Sequence, residues 1–173
     1  MSKLRIGLLV AAAALALDQL VKVIFLYGVG WIDTLGQGPN GIRTEVLPFF
    51  DLVMVWNRGI SYGLLQAESD FQRWILVAFA VGVTGFLVWW LRGVQDLRLA
   101  QAIGLIIGGA LGNVIDRMLY GAVADFFLLH AFGYEWYVFN VADTAVVLGV
   151  AVMGLDLAIN EWRSRVRAKE DQT

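Results

Sequence analysis

The sequence contains no cysteine, a single histidine (His130) and two prolines in 173 residues. The missing cysteine excludes disulfides, thiolate metal sites and cysteine nucleophiles together. One histidine cannot supply the nitrogen ligands of an ordinary zinc site. Charge is scarce as well: 16% of the residues are Asp, Glu, Lys or Arg, against about 25% in soluble domains. Thirteen basic residues against 15 acidic ones leave a net charge of −2, which argues against a strongly basic nucleic-acid binder. What the chain has in excess is apolar surface. It is 59% hydrophobic with a mean hydropathy of +0.68, where soluble domains run at about 45–50%. Disorder needs the opposite composition.

A helix crosses a bilayer with about 20 mainly apolar residues, and four segments qualify: about 6–27, 74–91, 99–120 and 141–162. The second is the cleanest, with Thr84 as its one polar side chain. The first competes with a signal-peptide reading, because Lys3 and Arg5 make a basic start before the alanine run at 11–14. Its apolar stretch continues past Lys22 to Val29, too long for a typical signal-peptide core, so it reads as an uncleaved helix. The expected fold is an all-α integral membrane protein: one polytopic membrane domain over 1–173, with loops at about 28–73 and 121–140 on one side. The basic residues set the orientation. Lys3, Arg5, Arg92, Arg98, Arg163, Arg165, Arg167 and Lys169 fall on the side of both termini, which is therefore the cytoplasm. Most acids fall on the other.

The first outer loop opens with a turn-like stretch (Gly36, Gly38, Pro39, Gly41) and continues as a strand-like run from Phe49 to Trp56. A small β element on the outer membrane surface accounts for it. The runs from Val123 to Leu129 and from Trp136 to Phe139 read as short strands or interfacial segments. Trp31, Trp56, Trp74, Tyr62, Tyr134, Trp136 and Tyr137 fit an interfacial aromatic belt. Asp33, Glu45, Asp51, Glu68 and Glu135 read as solvated loop charges.

Charges inside apolar segments cost about 2.5–3.5 kcal/mol each on insertion scales and usually mark function. Asp18 and Lys22 lie four apart and can pair along one helix face. Asn113, Asp116 and Arg117 line one face of the third helix, behind the small residues Gly108, Gly109 and Gly112; Asp116 and Arg117 also suit an interhelical salt bridge. Asp125, between large apolar neighbours, is expected to be desolvated, which raises a carboxyl pKa. Asn140 and Asp143 open the fourth helix, where either suits a cap. Asn57, Gly59 and Gly63 offer hydrogen bonds and close backbone approach. The stretch Gly59-Ile60-Ser61-Tyr62-Gly63 matches the short serine-hydrolase pattern, but His130 or Lys22 would have to serve as its base. What remains is carboxylate chemistry: two aspartates sharing one proton activate water for hydrolysis. Spacing alone leaves the pair open among Asp18, Asp116, Asp125 and Asp143.

Four blocks carry a resemblance. They are Asp18-Gln19-Leu20-Val21-Lys22; Asn57-Arg58-Gly59-Ile60-Ser61-Tyr62-Gly63; Gly108 to Arg117 continuing to Val123-Ala124-Asp125-Phe126; and Phe139-Asn140-Val141-Ala142-Asp143. Over about 5–162 the chain resembles the lipoprotein signal peptidases (signal peptidase II), bacterial aspartic membrane proteases. The resemblance implies four transmembrane helices, cytoplasmic termini and a small periplasmic β-cradle. It implies Asp125 and Asp143 as the catalytic pair and Asp116 as a supporting residue. Asn57, Gly59, Gly109, Asn113, Arg117 and Asn140 would line the site or bind substrate, and Asp18 with Lys22 would be the first-helix polar pair. Tyr62 and Ala124 stand where the family usually has Phe and often Val; neither change removes a catalytic group. The implied partners are diacylglyceryl-modified prolipoproteins, membrane lipid and the inhibitor globomycin, with no metal or organic cofactor. A proton or ion carrier built on the intramembrane carboxylates is the alternative, and a non-catalytic scaffold is a third reading.

Overall fold

The structure is a computed structural model and describes residues 1–35, 42–59 and 70–170. The 36–41 turn, Ser61, Tyr62, Gly63 and Glu68 lie outside the described residues. Four helices, α1 (Lys3–Val23), α2 (Asp70–Leu91), α3 (Leu97–Tyr120) and α4 (Val141–Glu170), accompany four strands: β1 (Arg43–Leu47), β2 (Phe50–Asn57), β3 (Val123–Ala131) and β4 (Tyr134–Phe139). All four helices are long and apolar enough to cross a membrane. Their outer faces present Leu9, Leu20, Phe79, Phe86, Trp89, Val147 and Leu155 as exposed side chains, the composition of a surface solvated by lipid rather than by water.

The helix ends follow local chemistry. Asp96 caps α3, its carboxylate accepting from the Leu99 N–H at 2.9 Å, and Gly121 ends it at φ 76°, a left-handed conformation that glycine adopts without penalty. α1 runs directly into a π turn over Ile24–Gly28. α3 is the central helix and packs on the other three. Its small residues permit the approach: a Cβ at Gly108 would collide with the Ala11 carbonyl of α1, and one at Gly109 with the Ala142 carbonyl of α4. This is the small-residue packing by which helices associate in a solvent as apolar as their own side chains. Leu87 and Leu91 of α2 and Ile103 and Ile107 of α3 fill the core at the end of the bundle near the α2–α3 turn.

The strands form one antiparallel meander in the order β1-β2-β3-β4. The sequence anticipates three of these strands; β1 is an addition. Alternation on β3 divides its side chains between two faces. Ala124 and Phe126 go to a buried cluster with Leu26, Trp31 and Met54, and Phe25 stacks on both Trp31 and Phe126 at 5.0 and 4.9 Å. Trp31 is therefore a core residue, 5% exposed, and not a belt anchor. Asp125 takes the other face. Two irregularities interrupt the pairing of β3 with its neighbours. β2 carries an extra residue between Leu52 and Val55, next to the Val55–Asp125 pair. β4 carries one between Glu135 and Val138, opposite Leu129. Such bulges twist a strand and re-aim a side chain.

One chain of charges crosses the sheet. Arg43 of β1 donates to Asp51 of β2 at 2.6 Å and also to Glu135 of β4, and His130 of β3 lies 3.0 Å from Asp51. Asp51 is 0% exposed. The expectation of a solvated loop charge was wrong, because strand pairing places a cation and an imidazole against that carboxylate. Glu135, more than half exposed, does sit in solvent.

Candidate active site

The N-terminus of α4 organises the site. Asn140 precedes the helix, and its side-chain oxygen accepts from the Asp143 N–H at 2.9 Å. The Asp143 carboxylate accepts in return from the Asn140 N–H at 3.3 Å. This reciprocal box satisfies two otherwise orphaned donors and holds an acid where the helix dipole favours negative charge. A third donor of the first turn, the Ala142 N–H, goes to Asp18 of α1 at 2.9 Å. Asn140 therefore does cap the helix, and it does more. Its amide also donates to Asp125 at 2.7 Å, and to the Asn113 carbonyl oxygen at 3.1 Å. Asn113 of α3 donates to Asp143 at 2.8 Å. One buried asparagine thus ties the two aspartates to a common frame.

Asp125 is 1% exposed. Its two oxygens receive the amides of Asn140 and Asn57, the latter at 3.0 Å. Burial, reinforced by the negative charge of Asp143, pushes the Asp125 carboxyl well above its ordinary value; the hydrogen bonds from Asn57 and Asn140 and the charge of Lys22 only partly oppose this. A chamber of about 180 Å³ lies between Asn57, Gly59, Asn113, Arg117, Tyr137 and Asp143. Arg117 is anchored there by the Gly59 carbonyl at 2.8 Å and the Asn113 carbonyl at 3.3 Å. A larger, mainly apolar groove of about 460 Å³ adjoins it along α4 and β4. Asn113, Tyr137 and Asp143 line both spaces.

Asp18, Lys22 and Asp116 stand behind this site and not in it. The Lys22 ammonium lies 2.8 Å from each of the two carboxylates, and Gln19 adds donors to both at 3.1 and 3.3 Å. Asp116 accepts the Ala124 N–H at 3.1 Å, which fixes the residue before Asp125. The cluster joins α1, α3, β3 and α4 at one buried point. The salt bridge considered for Asp116 and Arg117 is not the one formed: Asp116 pairs with Lys22, and Arg117 turns to backbone carbonyls. Lys22 is committed to two carboxylates and His130 to Asp51.

Gln19 and Tyr137 are the residues the sequence reading passed over. Gln19 was visible in the motif, but polar glutamine near a helix end carries no distinguishing signal. Tyr137 looked like one belt aromatic among seven; only strand register separates it from Trp136.

Fold and site together are those of a membrane-embedded aspartic peptidase. The sequence signature of Signal peptidase (SPase) II matches residues 10–159. The lipoprotein signal peptidase of Methylorubrum extorquens (strain PA1) is 47% identical over 156 residues, 90% of this chain and 87% of that one. The lipoprotein signal peptidase of Methylobacterium sp. (strain 4-46) is 43% identical over 171 residues, 99% of each chain. Among solved structures, a bacterial membrane enzyme determined by the in meso method at 2.3 Å resolution superposes with a TM-score of 0.74 at 28% identity, covering 90% of this chain and 88% of that one. The chain belongs to the signal peptidase II family.

Proposed function

We propose that this chain is the endopeptidase that removes signal peptides from diacylglyceryl-modified prolipoproteins, cutting before the lipidated cysteine, with Asp125 and Asp143 as its catalytic pair. The observation that carries the reading is the shared frame of the two aspartates: both bonded to Asn140 in a buried site, one with neutral amides on each oxygen, the other at a helix N-terminus. Asp125, held protonated by burial, donates to the scissile carbonyl oxygen. Asp143, ionised and steadied by Asn113 and the α4 dipole, takes a proton from the attacking water. The tetrahedral intermediate collapses as Asp143 returns that proton to the leaving amide nitrogen and Asp125 recovers its own from the hydroxyl it had protonated. Arg117 and Asn57 face the same chamber and orient the peptide. No metal or organic cofactor enters this scheme.

The bundle forms a single polytopic domain in the bacterial inner membrane. The basic side carrying both termini is cytoplasmic, so the sheet and the site face the periplasm, where prolipoprotein substrates meet them from the outer leaflet. The carrier alternative would need acids along the bilayer; the buried Asp18, Asp116, Asp125 and Asp143 instead gather at the sheet end of the bundle. The test is a mobility-shift assay with a lipidated prolipoprotein in detergent or liposomes. Cleavage by the purified chain, blocked by globomycin, is expected. Solute or proton flux without cleavage would overturn the assignment.

A further inference from the structure

Asn57 spends its whole side chain. One amide N–H goes to Asp125 at 3.0 Å, the other to the Tyr137 hydroxyl, and the carbonyl oxygen accepts from the Gly59 N–H at 3.0 Å. The Gly59 contact dictates that the amide nitrogen, and not the oxygen, faces Asp125. Turned the other way, the amide would set a lone pair against a carboxylate. The Tyr137 hydroxyl, which can donate or accept, does not select the orientation but steadies the amide nitrogen once it is set. Tyr137 reaches Asn57 across the width of β3, and it does so from the extra residue in β4, the device by which a strand re-aims a side chain. The charged groups set around Asp125 are Asp143 of α4, Lys22 of α1 and Arg117 of α3; the strands contribute only the neutral Asn57 and Tyr137 to it.

We propose that Tyr137 is a positioning residue for hydrolysis: its hydroxyl, presented from the irregular stretch of β4, steadies the Asn57 amide whose donor faces Asp125 and thereby tunes the protonation balance of the acid pair. The proposal rests on Asp125 being a member of that pair. Removing the hydroxyl leaves Asn57 held by Gly59 alone and loosens its amide against Asp125. Asp125 then has a weaker hydrogen bond in favour of its charged form, so it holds its proton to higher pH.

The experiment is steady-state cleavage of a lipidated prolipoprotein peptide by the full-length enzyme across pH, comparing wild type, Tyr137→Phe, Asn57→Ala, their double variant and Asp125→Asn. Tyr137→Phe keeps the ring and its packing, so it should lower kcat about tenfold with KM within about twofold, and move the alkaline limb upward by about half to one pH unit. On the Asn57→Ala background the same change should cost nothing further, because its route to Asp125 is already gone. A wild-type pH profile for Tyr137→Phe, a KM effect alone, or losses that add in the double variant would each overturn the proposal. Full cleavage by Asp125→Asn would instead overturn the reading of the acid pair beneath it. An inactive Asp125→Asn beside an unaffected Tyr137→Phe isolates the failure to Tyr137.

Discussion

Asp51 and Asp125 lie on neighbouring strands of one sheet, both buried, and their carboxyls are shifted in opposite directions. Burial works to raise both. At Asp51 it is outweighed by hydrogen bonds from His130 and Arg43, and the carboxyl ends below its ordinary value. Asp125 receives neutral amides and faces a second acid, so burial prevails and the carboxyl is pushed well up. A few ångströms of partner chemistry decide whether a buried carboxyl is drawn down or pushed up. The cluster of Asp18, Lys22 and Asp116 makes the same point on the helices: two acids receive one lysine and become scaffold.

The sharpest way to break this contrast is at the acid pair. Asp125→Asn and Asp143→Asn should each reduce cleavage by at least about 10³-fold while the protein remains in the membrane, read by mobility shift and membrane fractionation. Asp125→Asn should also hold or raise the thermal midpoint at neutral pH. The wild-type carboxyl, raised on folding, contributes stability only while protonated, and that contribution fades as pH rises through its folded value. The gain over wild type should therefore grow with pH and vanish in acid.

Next comes the strut on the helix side. Lys22→Met leaves Asp18 and Asp116 buried without a cation, which costs about 3–5 kcal/mol when one partner of a buried pair is removed. Thermal unfolding in detergent measures it, and cleavage should fall only with the folded fraction and the misplaced Ala124. A smaller loss is expected at Gly109→Ala. The new methyl meets the Ala142 carbonyl one residue before Asp143, so about 1–3 kcal/mol of stability is lost to overpacking together with a share of kcat.

The mildest effect is expected at Asp51→Asn. Its folded carboxyl is depressed, so in the wild type its contribution is present above the ordinary carboxylate value and is lost as pH falls through the folded one. Tryptophan fluorescence should show the sheet loosening in wild type below about pH 4, with the variant losing that acid-dependent step while its cleavage near neutrality stays close to normal.

Much of this molecule was legible before any coordinate. The apolar runs were long enough to mark four helices, Val, Phe and Trp marked a strand from Phe49 to Trp56, and the runs Val123–Leu129 and Trp136–Phe139 were open to a strand reading; the strands run 50–57, 123–131 and 134–139. Asn140 beside Asp143 announced a helix start. Other features were not legible, for reasons that lie in three dimensions. Asp51 reads as a loop charge because nothing local says that Arg43 and His130 will pair across strands to meet it. Tyr137 reads as a membrane anchor because a one-residue bulge, invisible in composition, decides which of two adjacent aromatics turns inward.

The chain by itself determined where helices run, which end of the bundle is acidic and which residue types are present for chemistry, since these depend on local hydrophobicity and on counting. Only the tertiary structure decided which acids receive a cation. That choice depends on helix approach through Gly108 and Gly109 and on the register of three strands, and it leaves Lys22 with Asp18 and Asp116, Arg43 with Asp51, and Asp125 with Asp143.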